Sequence, residues 1–302
     1  MMQTSSISKL VGHLAAGAAY TIFGLNIVFC KDIANADAVP PIVLFTLRAI
    51  GASALFWVVS LFTPKEHVDN SDYWKIALAA FLGLFVPQFT FLAGITMTSS
   101  IDCSIISTLS PIFTMMFAAA FLKEPVTFKK AAGVALSFAG ILFLILTSAR
   151  TGRTGSSSLG GILLLLLNAL SFASYLGIFR PLIAKYSVIT FMKWMFLFAL
   201  AMSLPFSVKG LFTLDYAAIP GKVLWEIGYL ILFATFVAYF LIPVGQKRIR
   251  PTLVSMYSYL QPLIAVLVSI CTGMDRITIP KAIATVLVFS GVAIVNGSRA
   301  RS

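Results

Sequence analysis

Ser104–Pro111 reads SIISTLSP, and Ser255–Pro262, 151 positions later, reads SMYSYLQP. Ser, Ser, Leu and Pro occupy the same four places in both octets. The register extends both ways without a gap: Trp74 matches Trp225, Phe85 Phe236, Phe89 Phe240 and Gly94 Gly245, then Thr127 Thr278, Lys130 Lys281 and Gly140 Gly291. Apolar segments share a narrow alphabet, so a matched Leu or Gly carries little weight. Matched Trp, Pro and Lys in one register carry more, and together they mark an internal duplication. The halves are expected at 1–149 and 159–302, joined by Arg150–Ser158, whose TGRTGSSS run is Gly- and Ser-rich as flexible joints are.

Each half is too apolar for water. Of 302 residues, 59% are apolar and only 11% charged, with a mean hydropathy of +0.98, whereas soluble domains carry about 25% charged residues. A soluble globule of this composition would expose large apolar patches, which soluble monomers avoid. A bilayer span needs roughly 20 apolar residues. His13–Cys30, Pro41–Phe62, Trp74–Ile95, Cys103–Leu122 and Ala131–Thr147 qualify or come close in the first half. Leu159–Phe179, Val188–Phe206, Val223–Val244, Leu253–Thr272 and Ile279–Val295 do so in the second. The expected fold is an all-α membrane protein of ten transmembrane helices, arranged as two five-helix repeats. An odd number of spans per repeat makes the second copy enter the membrane from the opposite side, giving inverted topology and the two exchangeable packings on which alternating access rests.

The net charge of +12 would suggest a nucleic-acid partner in a soluble chain. Here Lys and Arg sit mainly between apolar runs, and no interhelical segment is long enough for a recognition module. With the N-terminus inside, thirteen Lys and Arg flank the cytoplasmic side and seven the outer side, so the positive-inside rule puts both termini in the cytoplasm of a multi-pass inner-membrane protein. Cys30, Cys103 and Cys271 lack metal-site spacing and read as buried, inert thiols. Only His13 and His67 are available as imidazole ligands. No metal or cofactor is expected, and no nucleophile–base arrangement points to an enzyme.

Leu92–Ile141, LAGITMTSSIDCSIISTLSPIFTMMFAAAFLKEPVTFKKAAGVALSFAGI, runs from a small, Ser-rich stretch through Pro and an apolar run to an acidic turn and a Gly-rich helix. With Phe23, Gly24, Leu25 and Asn26 in the opening helix and Pro41 before Arg48 in the second, it resembles the EamA-like, ten-helix members of the drug/metabolite transporter superfamily. Phe23 stands where that family commonly has Trp. The resemblance implies a ten-helix bundle with cytoplasmic termini that exports or exchanges small metabolites, its partners being a small-molecule substrate and the lipid bilayer. A solute-permeable channel or a transporter-derived sensor is the alternative. The sequence sets neither the substrate nor the oligomeric state.

Polar side chains inside spans are costly and belong in the bundle interior. Asn26, Gln88, Asn168 and Gln261 are such groups. Ser104, Ser107, Thr108 and Pro111 share one helical face, and Ser255, Ser258, Tyr259 and Pro262 repeat it, so two symmetry-related faces could line one cavity. Hydroxyls bonding their own backbone is the plain alternative. Each Pro frees the carbonyl four residues back, and irregular backbone at depth belongs where protein or cavity water satisfies it. Tyr20, Phe23, Phe89, Phe172, Tyr175, Tyr239, Tyr257 and Tyr259 could wall such a cavity. Arg48 reads equally as a snorkelling anchor or an anion-binding group, and Lys193 as an anchor. The substrate-binding candidates are therefore Asn26, Arg48, Gln88, Ser104, Ser107, Tyr175, Tyr239, Ser255, Tyr259 and Gln261. All ten acidic residues fall in loops or near helix ends, so coupling through a buried carboxylate is not expected.

Overall fold

The computed structural model describes residues 2–122, 127–151, 157–273 and 278–297. Among these residues every regular element is helical. The long ones are α1 (Met2–Asn35), α2 (Pro41–Ser60), α3 (Asn70–Thr96), a two-part α4 (Ser100–Ser107 and Ser110–Leu122) and α5 (Phe128–Thr151). There follow α6 (Leu159–Ile178), α7 (Val188–Thr213), α8 (Gly221–Arg248), a two-part α9 (Pro251–Met256 and Leu260–Cys271) and α10 (Ile279–Gly297). A short helix, Arg180–Lys185, links α6 to α7. Among the described residues eight helices are long and apolar enough to cross a bilayer. α5 and α10 contain the shorter apolar stretches Ala131–Gly140 and Ala282–Gly291. The chain is thus a multi-pass membrane protein.

Local chemistry sets the helix starts. Ser99, Ser158 and Ser187 accept from the backbone N–H of Asp102, Gly161 and Thr190, satisfying donors that a helix N-terminus leaves free. Pro41 opens α2, where its missing N–H costs nothing. Apolar side chains such as Leu14, Phe62, Phe206 and Trp225 stay on the outer surface, where lipid replaces water as their solvent.

Irregularities fall at matched places. A π-helical turn interrupts α3 at Phe81–Phe85 and α8 at Leu230–Val237. α4 breaks at Thr108–Leu109, held there by i−3 backbone bonds of 3.1 and 3.0 Å, and α9 passes through a 3-10 turn at Tyr257–Tyr259. Both breaks lie just before Pro111 and Pro262, as the lost donor and ring clash require.

The halves interlock. α1 packs on α8 and α9, α6 on α3 and α4, α2 on α7, and α5 on α10. The last pair is reciprocal: a Cβ at Gly140 would meet the Ala284 carbonyl and the side chains of Leu287 and Val288, and a Cβ at Gly291 would collide with the Gly133 carbonyl and with Ser137. Ser137 Oγ donates to the Val288 carbonyl at 3.2 Å. Small residues let these two backbones approach closely.

Residues 152–156 of the joint Arg150–Ser158 lie outside those described, as do Lys123, Arg276, Arg299 and Arg301 of the charge count. Two expectations change. Cys30 and Cys103 are buried, but Cys271 is exposed. Three carboxylates near helix ends, Asp72, Asp102 and Glu226, are buried, because neighbouring helices cover ends that the linear sequence leaves looking peripheral.

Candidate functional site

A cavity of about 80 Å³ lies where the two halves meet. Seven helices contribute: Tyr20, Phe23 and Asn26 from one face of α1, Arg48 from α2, Gln88 and Phe91 from α3, Ser107 and Ser110 from α4, Asn168 and Phe172 from α6, Tyr239 from α8 and Gln261 from α9. Its volume is below the roughly 300–1,000 Å³ of ligand pockets but admits several waters. In this conformation the site is contracted, and a larger solute requires its walls to move.

Arg48 dominates the electrostatics. Its side chain is 1% exposed. Nε donates to Thr235 Oγ1 at 2.8 Å and Nη1 to Cys30 Sγ at 3.8 Å. Thr235 is placed by the π-turn of α8, where its hydroxyl donates to the Leu230 carbonyl five residues back at 2.6 Å. Cys30 in turn donates to Asn26 Oδ1 at 3.6 Å. Among the described residues no carboxylate lies within 4 Å of the guanidinium. A buried cation without an ionic partner is costly, and an anion entering the cavity would supply that partner. The Tyr20 and Ser110 hydroxyls are sealed from solvent and make no hydrogen bond, so each has capacity for a polar solute atom.

Tyr239 sits in a nest of edge-on rings, 5.5 Å from Phe23, 5.7 Å from Phe196 and 6.2 Å from Phe172. These give the cavity apolar walls with polar atoms at fixed points, the usual make-up of a small-molecule site.

The structure brings six of the ten candidates to the cavity: Asn26, Arg48, Gln88, Ser107, Tyr239 and Gln261. The other four do not line it. Ser104 is buried and donates to the Ile101 carbonyl at 2.7 Å, the backbone bonding weighed as the alternative for these hydroxyls. Ser107 also bonds its own helix, at Cys103, yet its side chain reaches the cavity. Tyr175 is buried behind Phe172, its ring set by Gly83, where a Cβ would come within 2.6 Å of Tyr175 Cγ. Ser255 is buried, and Tyr259 turns toward Phe289 at 6.1 Å. Pro87, Phe91, Ser110 and Ala169 also line the space. As ordinary span residues they carry no sequence signal, although Ser110 beside Pro111 could have been weighed with its octet. Lys193 lies over the Trp57 ring at 4.9 Å, a cation–π contact.

Polar ties close the bundle at both ends. At one end Lys31 donates to the Ile95 and Thr98 carbonyls at 3.0 and 2.6 Å, Ser157 donates to Asp102, and Lys222 pairs with Asp32. At the other, Lys185 pairs with Asp69 and Asp72 at 2.6 and 2.5 Å, Tyr186 donates to Asp72 at 2.7 Å, and the Ser187 N–H donates to Glu66 at 2.9 Å. Hydrogen bonds to Asp69 and then Asp72 raise the Lys185 ammonium above its ordinary value. Partial burial pushes the Glu66 carboxyl up, but the Ser187 hydrogen bonds outweigh it and hold the group below its usual range.

Among the described residues no cluster of metal-ligating side chains is present. The EamA-like transporter family model matches residues 10–146 and again 159–297. An uncharacterized transporter of Bacillus subtilis, YyaM, is 27% identical over 82% of this chain and 81% of its own length. Another from that organism, YcxC, is 36% identical over 54% of this chain and 51% of its own. An uncharacterized transporter of Archaeoglobus fulgidus is 24% identical over 93% and 95%. A crystal structure at 20% identity covers 96% of both chains with a TM-score of 0.64, a likeness of fold. A bundle with a polar cavity at its centre, matched along nearly its whole length by this family, is a membrane transporter: the chain belongs to the EamA-like transporter family, within the drug/metabolite transporter superfamily.

Proposed function

We propose that this protein moves a small metabolite, an amino-acid-like, zwitterionic or amphiphilic solute, across the inner membrane by alternating access, in export or exchange. Arg48 carries the proposal. It is buried at the edge of a contracted, aromatic-walled cavity and lacks an ionic partner among the described residues, so a solute carboxylate or comparable anionic group completes it. Asn26, Gln88, Ser107, Tyr239 and Gln261 hold the rest of the solute, and Tyr20 and Phe23 close the apolar side. Ser104, Tyr175, Ser255 and Tyr259 support this wall without touching solute.

Ten spans in two inverted five-helix repeats supply the motion. Supporting this are the π-turns and Pro breaks at matched positions of the two halves and the reciprocal α5–α10 contact, in which Gly140 meets Ala284 as Gly291 meets Gly133. Such reciprocity is what a two-fold axis imposes on a contact, and in inverted repeats that axis lies in the membrane plane. Both termini are cytoplasmic in this reading, so the Lys31 ties face outward and the Lys185 ties inward.

The test is metabolite profiling of medium and cytosol in cells lacking or overproducing the protein, followed by reconstituted flux of the solute it identifies. Saturable, solute-specific flux lost in Arg48→Gln supports the proposal. A non-saturating current would favour a channel, and no flux with solute-dependent signalling a sensor.

A further inference from the structure

Glu226 lies in the first turns of α8 with its side chain 2% exposed. Its Oε2 is sealed from solvent and makes no hydrogen bond, and its Oε1 is 3.7 Å from Lys222 Nζ. The same ammonium pairs with Asp32 of α1, so two carboxyl groups converge on one cation. Lys222 is 68% and Asp32 21% exposed. The cluster therefore runs from solvent inward to a buried carboxyl. Two carboxylates and one ammonium leave a net negative charge partly out of water, which is expensive. One proton shared by the carboxyls brings the three groups to neutrality and gives Glu226 Oε2 a hydrogen to donate.

The charged and titratable groups facing this pair are Lys222 on α8 itself and Cys30 on α1, with the Arg48 guanidinium of α2 beyond the Cys30 sulfur. Cys30 also reaches Asn26 in the cavity wall. The pair and the cavity thus share one short stretch of α1, and α1 and α8 both pack together and line the cavity.

We propose that Asp32 and Glu226 form a proton-binding site that couples transport to a proton gradient. The pair exchanges its proton with solvent at the Lys222 face, holds it between the two carboxyls, and is exposed to the opposite side when the bundle exchanges its packing. An anion bound at Arg48 cancels the positive field that reaches Glu226 past Cys30 and so favours the proton there. Anion and proton load together and travel in the same direction. This coupling, though not the proton site, rests on Arg48 as the solute's anion-binding group.

The proton itself is the probe. Infrared difference spectra of the purified, lipid-reconstituted full chain, stepped between about pH 5 and 9, should show a titrating carboxylic-acid carbonyl band. Glu226→Gln should abolish that band and Asp32→Asn should move its midpoint. Arg48→Gln stands in for a neutralising anion and should raise the midpoint by about half a unit or more, whereas Arg48→Lys should leave it in place. Lys222→Gln, at an exposed position, should also raise it and keeps the test decisive if Arg48→Gln does not fold. A band unaltered by Glu226→Gln overturns the proton site and leaves the cavity reading intact. A midpoint identical in wild type and folded Arg48→Gln overturns the coupling.

Discussion

Arg48 is where sequence and structure meet most sharply. Its position in a span allows snorkelling, but the α8 π-turn brings Thr235 to its Nε and the side chain is enclosed. Arg48→Lys keeps the charge and loses the planar fork. With charged hydrogen bonds worth about 1.5–3 kcal/mol each, transport of the profiled solute should fall by roughly 10- to 100-fold at unchanged membrane abundance. Undiminished saturable flux would remove Arg48 from the solute site. Glu66 shows a different residue-scale effect. Its lowered carboxyl value means that its hydrogen bonds to Ser187 stabilise the fold above the ordinary carboxylate range and are lost as pH falls through the folded value. Glu66→Gln should therefore lower the denaturation temperature at pH 7 and have little effect near pH 3; equal effects at both would contradict this. Lys185, raised by its acidic partners, keeps its contribution until alkaline pH, so neither tie titrates between about pH 5 and 9.

At the scale of the element, α4 and α9 each carry a stretch of irregular backbone beside a side chain lining the cavity, Ser107 in α4 and Gln261 in α9. Restoring the donor with Pro111→Ala or Pro262→Ala should mend the helix and lower transport several-fold, since each helix would trade a bend for about one backbone bond. Full transport by the folded double variant would make the breaks mere packing. The α5–α10 contact predicts a contrast in stability. Gly291→Ala drives a methyl into the Gly133 backbone, which cannot yield, and should cost about 1–3 kcal/mol, read as a lower denaturation temperature in detergent. A Cβ at Gly228 meets nothing within 4 Å, so Gly228→Ala in α8 should be neutral or mildly stabilising.

For the whole molecule, the orientation can be tested with single cysteines at exposed loop positions in an otherwise cysteine-free protein. Impermeant thiol reagents added to intact cells should label Lys222→Cys and Asp215→Cys but not Lys65→Cys or Arg248→Cys. The opposite pattern would reverse the orientation, and labelling of both sets would break the five-plus-five arrangement. Ser157 is unsuitable despite its place near the joint, because it is buried against Asp102.

By itself the sequence determined the solvent, the helices and the duplication. Apolar runs of spanning length, Pro positions and a 151-residue register are local or linear properties, and backbone hydrogen bonding in lipid leaves helices as the way to satisfy those runs. It also marked Asn26, Arg48, Gln88, Ser107, Tyr239 and Gln261, since a polar side chain in a span must find a partner inside the bundle. The tertiary structure alone decided which of the marked groups share a space. Ser104 and Tyr175 carry the same composition signal as Ser107 and Tyr239, but helix rotation and the neighbouring helices turn one pair to the cavity and seal the other behind it. Burial of Asp72, Asp102 and Glu226 was likewise invisible, because closeness to a helix end is a fact of sequence, whereas exposure depends on what another helix lays over that end.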